Sequence, residues 1–121
     1  MVKALFDTNI LIDYLIASPQ ARDELARYQH KAISIVSWME VLIGAKAEVE
    51  PGTRAFLKGF SVIALDDTIA AKTVSIRKAH RIKLPDAIIW ATADTHSMLL
   101  VTRNTKDFPD GTPGVRIPYQ I

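Results

Sequence analysis

The chain has 121 residues, of which 49% are hydrophobic and 23% charged; this composition indicates one globular domain over residues 1–121 and excludes a disordered, collagen-like or low-complexity protein. The absence of cysteine excludes a disulfide scaffold, a zinc–thiolate site and thiol catalysis, and no uncharged stretch longer than eight residues is available to span a membrane. The net charge of +2 and a pI near 9.0 permit a polyanionic partner without requiring one. We expect a cytoplasmic protein, because the first apolar run is too short for a signal peptide.

Short apolar runs alternate with segments of helical periodicity in the first half of the chain. In order, we predict a strand over 2–6, a helix over 9–16, and a second helix that begins at Pro19 behind the N-cap Ser18 and runs to about 28. A strand over 32–36 follows, and Ser37 begins a helix to about 46. We interpret Glu50-Pro51-Gly52 as a turn that precedes a short helix over 53–58.

The same alternation continues in the second half. A strand over 61–65 leads to a helix that Asp66-Asp67-Thr68 caps and that runs to about 80. Another helix opens at Pro85, a fourth strand covers 98–101, and an edge strand is expected near 115–117. Alternating strands and helices predict an α/β fold, a three-layer α/β/α sandwich around a mainly parallel sheet of four to five strands.

Oxygen-bearing side chains follow the predicted strands at what should be one end of the sheet, where ligands of such folds bind. They are Asp7, Glu40, Asp86, Asn104 and Asp107. Two unit charges ~4 Å apart repel by roughly 4 kcal/mol at an effective dielectric of about 20, so three grouped carboxylates must take up protons or bind a cation. An all-oxygen ligand set favours Mg²⁺ or Mn²⁺ over zinc, and metal-dependent phosphodiester hydrolysis becomes chemically accessible.

Each acid also has a purely structural interpretation. Ser37-Trp38-Met39-Glu40 fits a capping box in which Glu40 accepts from a backbone N–H. Asp86 in a first helical turn complements the helix dipole, and Asp7 with Asn9 could cap the first helix. The shared sheet end favours the functional interpretation, whereas a helix cap explains the pair Asp66-Asp67.

Four segments spread over essentially the whole chain carry a family resemblance. They are Phe6-Asp7-Thr8-Asn9-Ile10-Leu11-Ile12, Ser37-Trp38-Met39-Glu40-Val41-Leu42-Ile43-Gly44, Leu84-Pro85-Asp86-Ala87-Ile88-Ile89-Trp90-Ala91-Thr92-Ala93 and Leu100-Val101-Thr102-Arg103-Asn104-Thr105-Lys106-Asp107-Phe108. Each is weak alone, but in this order and spacing they resemble the PIN-domain proteins, and among these the VapC-type toxins of bacterial toxin–antitoxin systems.

The resemblance implies a PIN-like fold and a Mg²⁺- or Mn²⁺-dependent ribonuclease. Asp7 and Asp86 match the principal metal-binding acids, and Glu40 matches the third acidic position. Asn104 stands where some members have Asp, with Asp107 one helical turn later, so a second metal is not expected. The candidate catalytic residues are therefore Asp7, Glu40, Asp86 and Asn104, with Asn9, Thr102 and Asp107 in support. A homodimer and a small antitoxin protein that lies over the active face are also implied.

Cationic and aromatic side chains could contact the substrate. Arg103, adjacent to the expected metal site, is the candidate for a phosphate contact. A run of five cations lies between Asp67 and Asp86 and could bind phosphates, although a solvated helix face explains that run by itself; the five are Lys72, Arg77, Lys78, Arg81 and Lys83. Trp38 and Trp90 are expected to be packed side chains rather than stacking platforms.

Two other function classes fit part of the pattern. A non-catalytic PIN-like nucleic-acid-binding module would keep the acids as helix caps and would bind RNA without Mg²⁺-dependent cleavage. Asp7-Thr8-Asn9 is also similar to the motif of aspartate-based phosphatases, but that motif has an acid where Asn9 stands. We therefore expect a small endoribonuclease in which a metal held by Asp7 and Asp86, assisted by Glu40, activates water for attack on RNA.

Overall fold

The computed structural model describes residues 2–109 and 111–120, in which five strands and six helices alternate. The strands are β1 (Lys3–Phe6), β2 (His30–Ser34), β3 (Ser61–Ile63), β4 (Leu99–Val101) and β5 (Val115–Arg116). The helices are α1 (Thr8–Leu15), α2 (Pro19–Ala26), α3 (Ile35–Gly44), α4 (Glu50–Leu57), α5 (Asp67–Ala79) and α6 (Leu84–Thr95). The predicted edge strand near the C-terminus is confirmed as β5.

All five strands form one parallel sheet in the order β3-β2-β1-β4-β5, with β1 at its centre. Leu5 of β1 is in register with Ala32 of β2 on one side and with Leu100 of β4 on the other. The chain extends the sheet in one direction through β2 and β3 and in the other through β4 and β5. The strand order therefore reverses between β1 and β4, whose carboxyl ends flank the expected ligand-binding crevice.

Helices cover both faces of the sheet, as predicted. Alternate residues of β1 point to opposite sides: Ala4 and Phe6 join one apolar cluster with side chains from α1 to α4, whereas Leu5 joins another with side chains from α6. A third cluster packs α5 against α6. The central strands β1 and β4 are covered on both faces, and Leu5, Phe6 and Leu100 are fully buried, so the three-layer α/β/α prediction is confirmed.

Two predicted boundaries are wrong for identifiable reasons. The second strand ends at Ser34, because its hydroxyl accepts a hydrogen bond from the backbone N–H of Val36 (3.1 Å) and caps α3. The helix therefore begins at Ile35, two residues earlier than expected. Glu50-Pro51-Gly52 is the first turn of α4 rather than a separate turn, since a proline is tolerated there without loss of a helical hydrogen bond. Arg54 pairs with Glu50 one helical turn earlier (3.0 Å) and supports that start.

Side-chain oxygens cap four of the helices at their N-termini, from Asp7, Ser18, Ser34 and Asp66. The cap expected from Asp66 is confirmed, with its Oδ1 accepting from the N–H of Ile69 at 2.9 Å. Within the described residues, none of these helices combines the length and the apolar character that a bilayer crossing requires.

Candidate active site

Asp7 is a buried acid at the carboxyl end of the central strand, with only 3% of its surface exposed. Its Oδ1 accepts from the backbone N–H of Thr8 (2.7 Å), which caps α1. Its Oδ2 accepts from the hydroxyl of Thr102 (2.7 Å), just beyond β4, and from the Nδ2 of Asn9 (3.3 Å). The ends of both strands at the switch point therefore hold this carboxylate in one orientation.

Burial is the main reason that the pKa of Asp7 is raised to about 6. The Thr102 hydroxyl and the Thr8 N–H lower the pKa, while the negative charges of Asp86 and Glu40 raise it further. In the described part of the chain, Asp7 forms no ion pair with a cationic side chain. Three acids from three segments thus act on one another at this end of the sheet and favour an additional positive charge.

Glu40 reaches the site from α3 and is held by a threonine that the sequence did not single out. The hydroxyl of Thr8 donates to Glu40 Oε1 (2.7 Å) and lies 2.9 Å from Ser37 Oγ. The capping-box interpretation is wrong, because Ser34 rather than Ser37 caps the helix and Ser37 is buried inside it. Glu40 therefore satisfies a side chain of the site and not the start of its own helix.

Asp86 lies in the first turn of α6 and is half-buried. Burial raises its pKa, and the neighbouring charges of Asp107 and Glu40 raise it further, against the opposing charge of Lys83. Asn104 holds Asp107 at this position: its Nδ2 donates to Asp107 Oδ2 (2.9 Å), and its Oδ1 accepts from the Asp107 N–H (3.2 Å). The structure therefore brings the carboxylate of Asp107 towards Asp86 and uses the amide of Asn104 to orient it.

Arg103 is engaged by Asp13, a second residue that sequence reasoning missed. The Nε and one terminal nitrogen of Arg103 donate to the two carboxylate oxygens of Asp13 at 2.6 and 3.0 Å. The hydroxyl of Tyr119 also donates to Asp13, at 2.8 Å. Asp13 is 1% exposed and lies three positions after the core residue Ile10, on the buried face of α1. An acid on that face was the sequence signal that could have identified it, because a buried charge needs a partner. The contact of Arg103 with a substrate phosphate stays a prediction.

The supporting residues form a continuous network around Asp7. The Nδ2 of Asn9 also lies 3.2 Å from Thr102 Oγ1, and its Oδ1 accepts from the Arg103 N–H at 3.3 Å. The backbone N–H of Asn104 donates to Thr102 Oγ1 at 3.1 Å. Asn9 and Thr102 therefore connect α1 to the loop after β4, and a shift of that loop would turn the Asp7 carboxylate.

Oxygen donors of this kind fit a hydrated hard cation better than a closed cage. Among residues 2–109 and 111–120, no three His, Asp or Glu side chains lie close enough to coordinate one ion directly. Mg²⁺ uses one or two protein carboxylates and keeps several waters. Asp7 and Asp86, whose charges act on each other, are donors of the type that this ion takes. Zinc, which takes three or four direct protein ligands, does not fit this arrangement.

Neither tryptophan is free for stacking in this structure. Trp90 packs edge-on against Phe108, with ring centroids 5.2 Å apart, and Trp38 packs against the core with the guanidinium of Arg54 5.6 Å from its ring. An open depression of about 640 Å³ lies at the amino ends of β1 and β4, between Lys3 and His96. It is at the opposite end of the sheet from the acids and belongs to a different surface.

Comparison with known proteins places this geometry in a family. The family model described as PIN domain matches residues 4–110. The chain belongs to the PIN domain family. It is 33% identical over 113 residues to Ribonuclease VapC10 of Mycobacterium tuberculosis, an alignment that covers 87% of this chain and 85% of that relative.

Three solved structures share the fold over almost the full chain. A toxin–antitoxin complex from Klebsiella pneumoniae contains a chain 48% identical to this one, with a TM-score of 0.93 and coverage of 98% of this chain and 100% of that one. DNA-bound VapBC from Salmonella typhimurium matches with 26% identity, a TM-score of 0.77 and 97% coverage of both chains. FitAcB from Neisseria gonorrhoeae, at 22% identity and a TM-score of 0.81 over 98% of this chain and 99% of that one, shares the fold.

Proposed function

We propose that this PIN-domain protein is a Mg²⁺- or Mn²⁺-dependent endoribonuclease and the toxin of a toxin–antitoxin pair. The observation that carries the proposal is the acidic cluster of Asp7, Asp86 and Glu40 at the switch point, where the buried Asp7 has a pKa of about 6. Similarity to a curated VapC ribonuclease and to a chain of a toxin–antitoxin complex supports both parts of the proposal.

Asp7 and Asp86 would hold the metal ion, with Glu40 assisting. When bound, such an ion stabilises charge on a phosphoryl oxygen and lowers the pKa of water in its coordination sphere. Thr102 and Asn9 keep Asp7 Oδ2 in its orientation, and Thr8 orients Glu40.

The fourth position of the site is divided between two side chains. Asp107 supplies the negative charge next to Asp86, whereas Asn104, expected from the resemblance as a catalytic residue, orients Asp107 through two hydrogen bonds. We infer that Asp107 is the acid of this position and that Asn104 acts by holding it.

A protein partner fits the surface of α1 and α3, which pack against each other. Exposed apolar side chains lie on or directly after these two helices: Ile12 and Leu15 on α1, Ile16 just beyond it, and Met39 and Ile43 on α3, of which Ile43 is 84% exposed. Apolar surface of this kind marks protein–protein contacts. An antitoxin that covers these side chains would also reach Glu40, which lies one residue from Met39.

The oligomeric state, the cellular location and the domain organisation remain proposals. A homodimer would use part of the exposed apolar surface, and action on cellular RNA places the protein in the cytoplasm. The family model covers residues 4–110, and the prediction that residues 1–121 form a single domain stays a prediction.

Substitution of the two metal-binding acids tests the proposal. Asp7→Asn and Asp86→Asn should each lower Mg²⁺-dependent cleavage of single-stranded RNA by more than about 100-fold, because even residues behind the ligands of a metal contribute 10- to 100-fold. Asp23→Asn is the matched control, since Asp23 is exposed on α2 and, among the residues that the structure describes, forms an ion pair with the neighbouring Arg22 alone. Circular dichroism verifies folding, and calorimetry with Mn²⁺ measures metal affinity.

The outcomes separate the competing functions. Cleavage by the two Asn variants at the parent rate would eliminate this mechanism. RNA binding by the parent without any metal-dependent cleavage would instead favour the non-catalytic binding module.

A further inference from the structure

Four cations at the junction of α5 and α6 form an exposed surface without acidic partners. They are Arg77, Lys78, Arg81 and Lys83, which we call the basic corner. Within the described residues none of the four takes part in an ion pair, although six other ion pairs are present. The chain also has no acid between Asp67 and Asp86. This surface therefore carries four positive charges that form no ion pair in the part of the chain that the structure describes.

The basic corner lies at the active end of the molecule. Lys72 pairs with Asp94 at 2.7 Å, and the rings of His80 and Trp90 lie 5.0 Å apart, so α5 and α6 run antiparallel. The C-terminus of α5 is consequently beside the first turns of α6, which carry Asp86. Lys83 immediately precedes α6, and its charge acts on Asp86.

The dipole of α5 explains why two of the four residues of the basic corner are basic, but not the other two. Arg77 and Lys78 lie in the last turn of α5, where the helix dipole favours cations. Arg81 and Lys83 lie beyond that helix. Lys83 occupies the N-cap of α6 without a side-chain hydrogen bond, and a cation there is disfavoured by the dipole. A structural role in helix capping therefore does not explain why these two positions are basic.

We propose that the basic corner binds the RNA backbone next to the phosphodiester that is cut. This inference rests on the proposed function, because it requires a scissile phosphate at Asp7 and Asp86. Phosphates that follow in the same strand must leave the acidic cluster at its edge, and the basic corner provides the opposite charge there. A protein partner is the less favoured occupant, since the larger exposed apolar surface lies on α1 and α3, on the other face of the sheet, whereas Val74 and Leu84 are the exposed large apolar side chains of α5 and α6.

A charge-reversal pair tests the basic corner against a matched control. The variant Arg81→Glu/Lys83→Glu is compared with Lys3→Glu/Lys58→Glu, which makes the same change in net charge at exposed positions near the amino ends of β1 and β3. Cleavage of a single-stranded RNA oligonucleotide is followed with saturating Mg²⁺ between 50 and 200 mM salt, and Mn²⁺ affinity is measured for each protein.

The basic-corner variant should raise KM by about 10-fold or more. Its kcat is compared with that of Arg77→Gln/Lys78→Gln, which keeps Lys83 beside Asp86 and should change kcat by less than about twofold. The slope of log KM against log salt should fall by about 1.4, since each lost phosphate contact with a single strand contributes about 0.7. The control should keep the KM and the slope of the parent. Arg77→Gln/Lys78→Gln should also raise KM. Because this variant keeps Lys83, it distinguishes loss of phosphate contacts from an effect of Lys83 on Asp86.

Two results would overturn the inference. One is a parent-like KM and salt slope in both basic-corner variants. The other is an unchanged KM for RNA with weakened binding of the antitoxin, which would make the basic corner a protein-binding surface. If the parent does not cleave RNA at all, the proposed function fails, and fluorescence anisotropy with the same oligonucleotide still decides whether the basic corner binds it.

Discussion

Asp7→Asn should stabilise the metal-free protein at neutral pH although it removes a residue of the site. The pKa of Asp7 is about 6 in the folded protein and 3.8 in an exposed carboxyl, mainly because the folded protein buries it. The folded state therefore holds this proton more tightly than the unfolded state. The favourable contribution of protonated Asp7 is complete below about pH 3.8 and is lost as the pH rises through about 6.

The size of the effect follows from the two pKa values. A difference of about 2 pKa units corresponds to about 3 kcal/mol of folding free energy above pH 7, at 1.36 kcal/mol per unit. At pH 4.5 only about 1 kcal/mol of this penalty is present. The stability gap between Asp7→Asn and the parent should therefore widen by about 2 kcal/mol from pH 4.5 to pH 7.5, independently of the hydrogen bonds that asparagine keeps or loses.

Urea unfolding of both proteins with EDTA at the two pH values measures this change. Added Mg²⁺ should then stabilise the parent, in which the cation neutralises Asp7, and should leave Asp7→Asn unchanged. If the stability gap is the same at pH 4.5 and pH 7.5, the pKa of Asp7 is not raised in the folded protein, and the electrostatic argument for the site is wrong.

The remaining predictions concern the scaffold that positions the site. Asp13→Ala should lower the free energy of unfolding by about 2–3 kcal/mol, because it removes the buried partner of the partly exposed Arg103 guanidinium and of the Tyr119 hydroxyl. Tyr119→Phe, which keeps the ion pair, should cost about 1 kcal/mol, and equal losses would contradict this account. Leu100→Ala should cost about 2–5 kcal/mol in urea unfolding, since Leu100 is fully buried in β4; a loss below 1 kcal/mol would mean that this part of the core repacks freely.

Buried ion pairs connect the last residues of the described chain to its first two helices. Glu24 of α2, 4% exposed, accepts from Arg116 Nε at 2.7 Å and from the hydroxyl of Tyr28 at 2.8 Å. Burial by itself would raise the pKa of Glu24, but these partners lower it overall. With the Asp13–Arg103 pair, this arrangement attaches the loop after β4 and strand β5 to α1 and α2, and the orientation of Asp7 depends on that loop.

The sequence was sufficient for the fold class, and it predicted acids that the structure brings to one end of the sheet. Apolar runs in alternation with helical periodicity can only bury their faces as a covered parallel sheet, and polar residues after such runs must gather at one edge. Boundaries were less certain where two local signals competed: Ser34 and Ser37 can both cap a helix, and burial of Ser37 together with its contact to Thr8 decided between them.

What the sequence by itself determined is therefore the architecture, because apolar runs and helical periodicity are encoded by neighbouring residues. It also predicted Asp7, Glu40 and Asp86 as the acids of the site. Tertiary structure alone decided how these side chains are held. Asp13 meets Arg103 across 90 positions and Thr102 meets Asp7 across 95, and no local pattern specifies such partners. The physical reason is that a buried charge or hydroxyl must find a partner of matching chemistry in space, and only the packed chain determines which one is within reach.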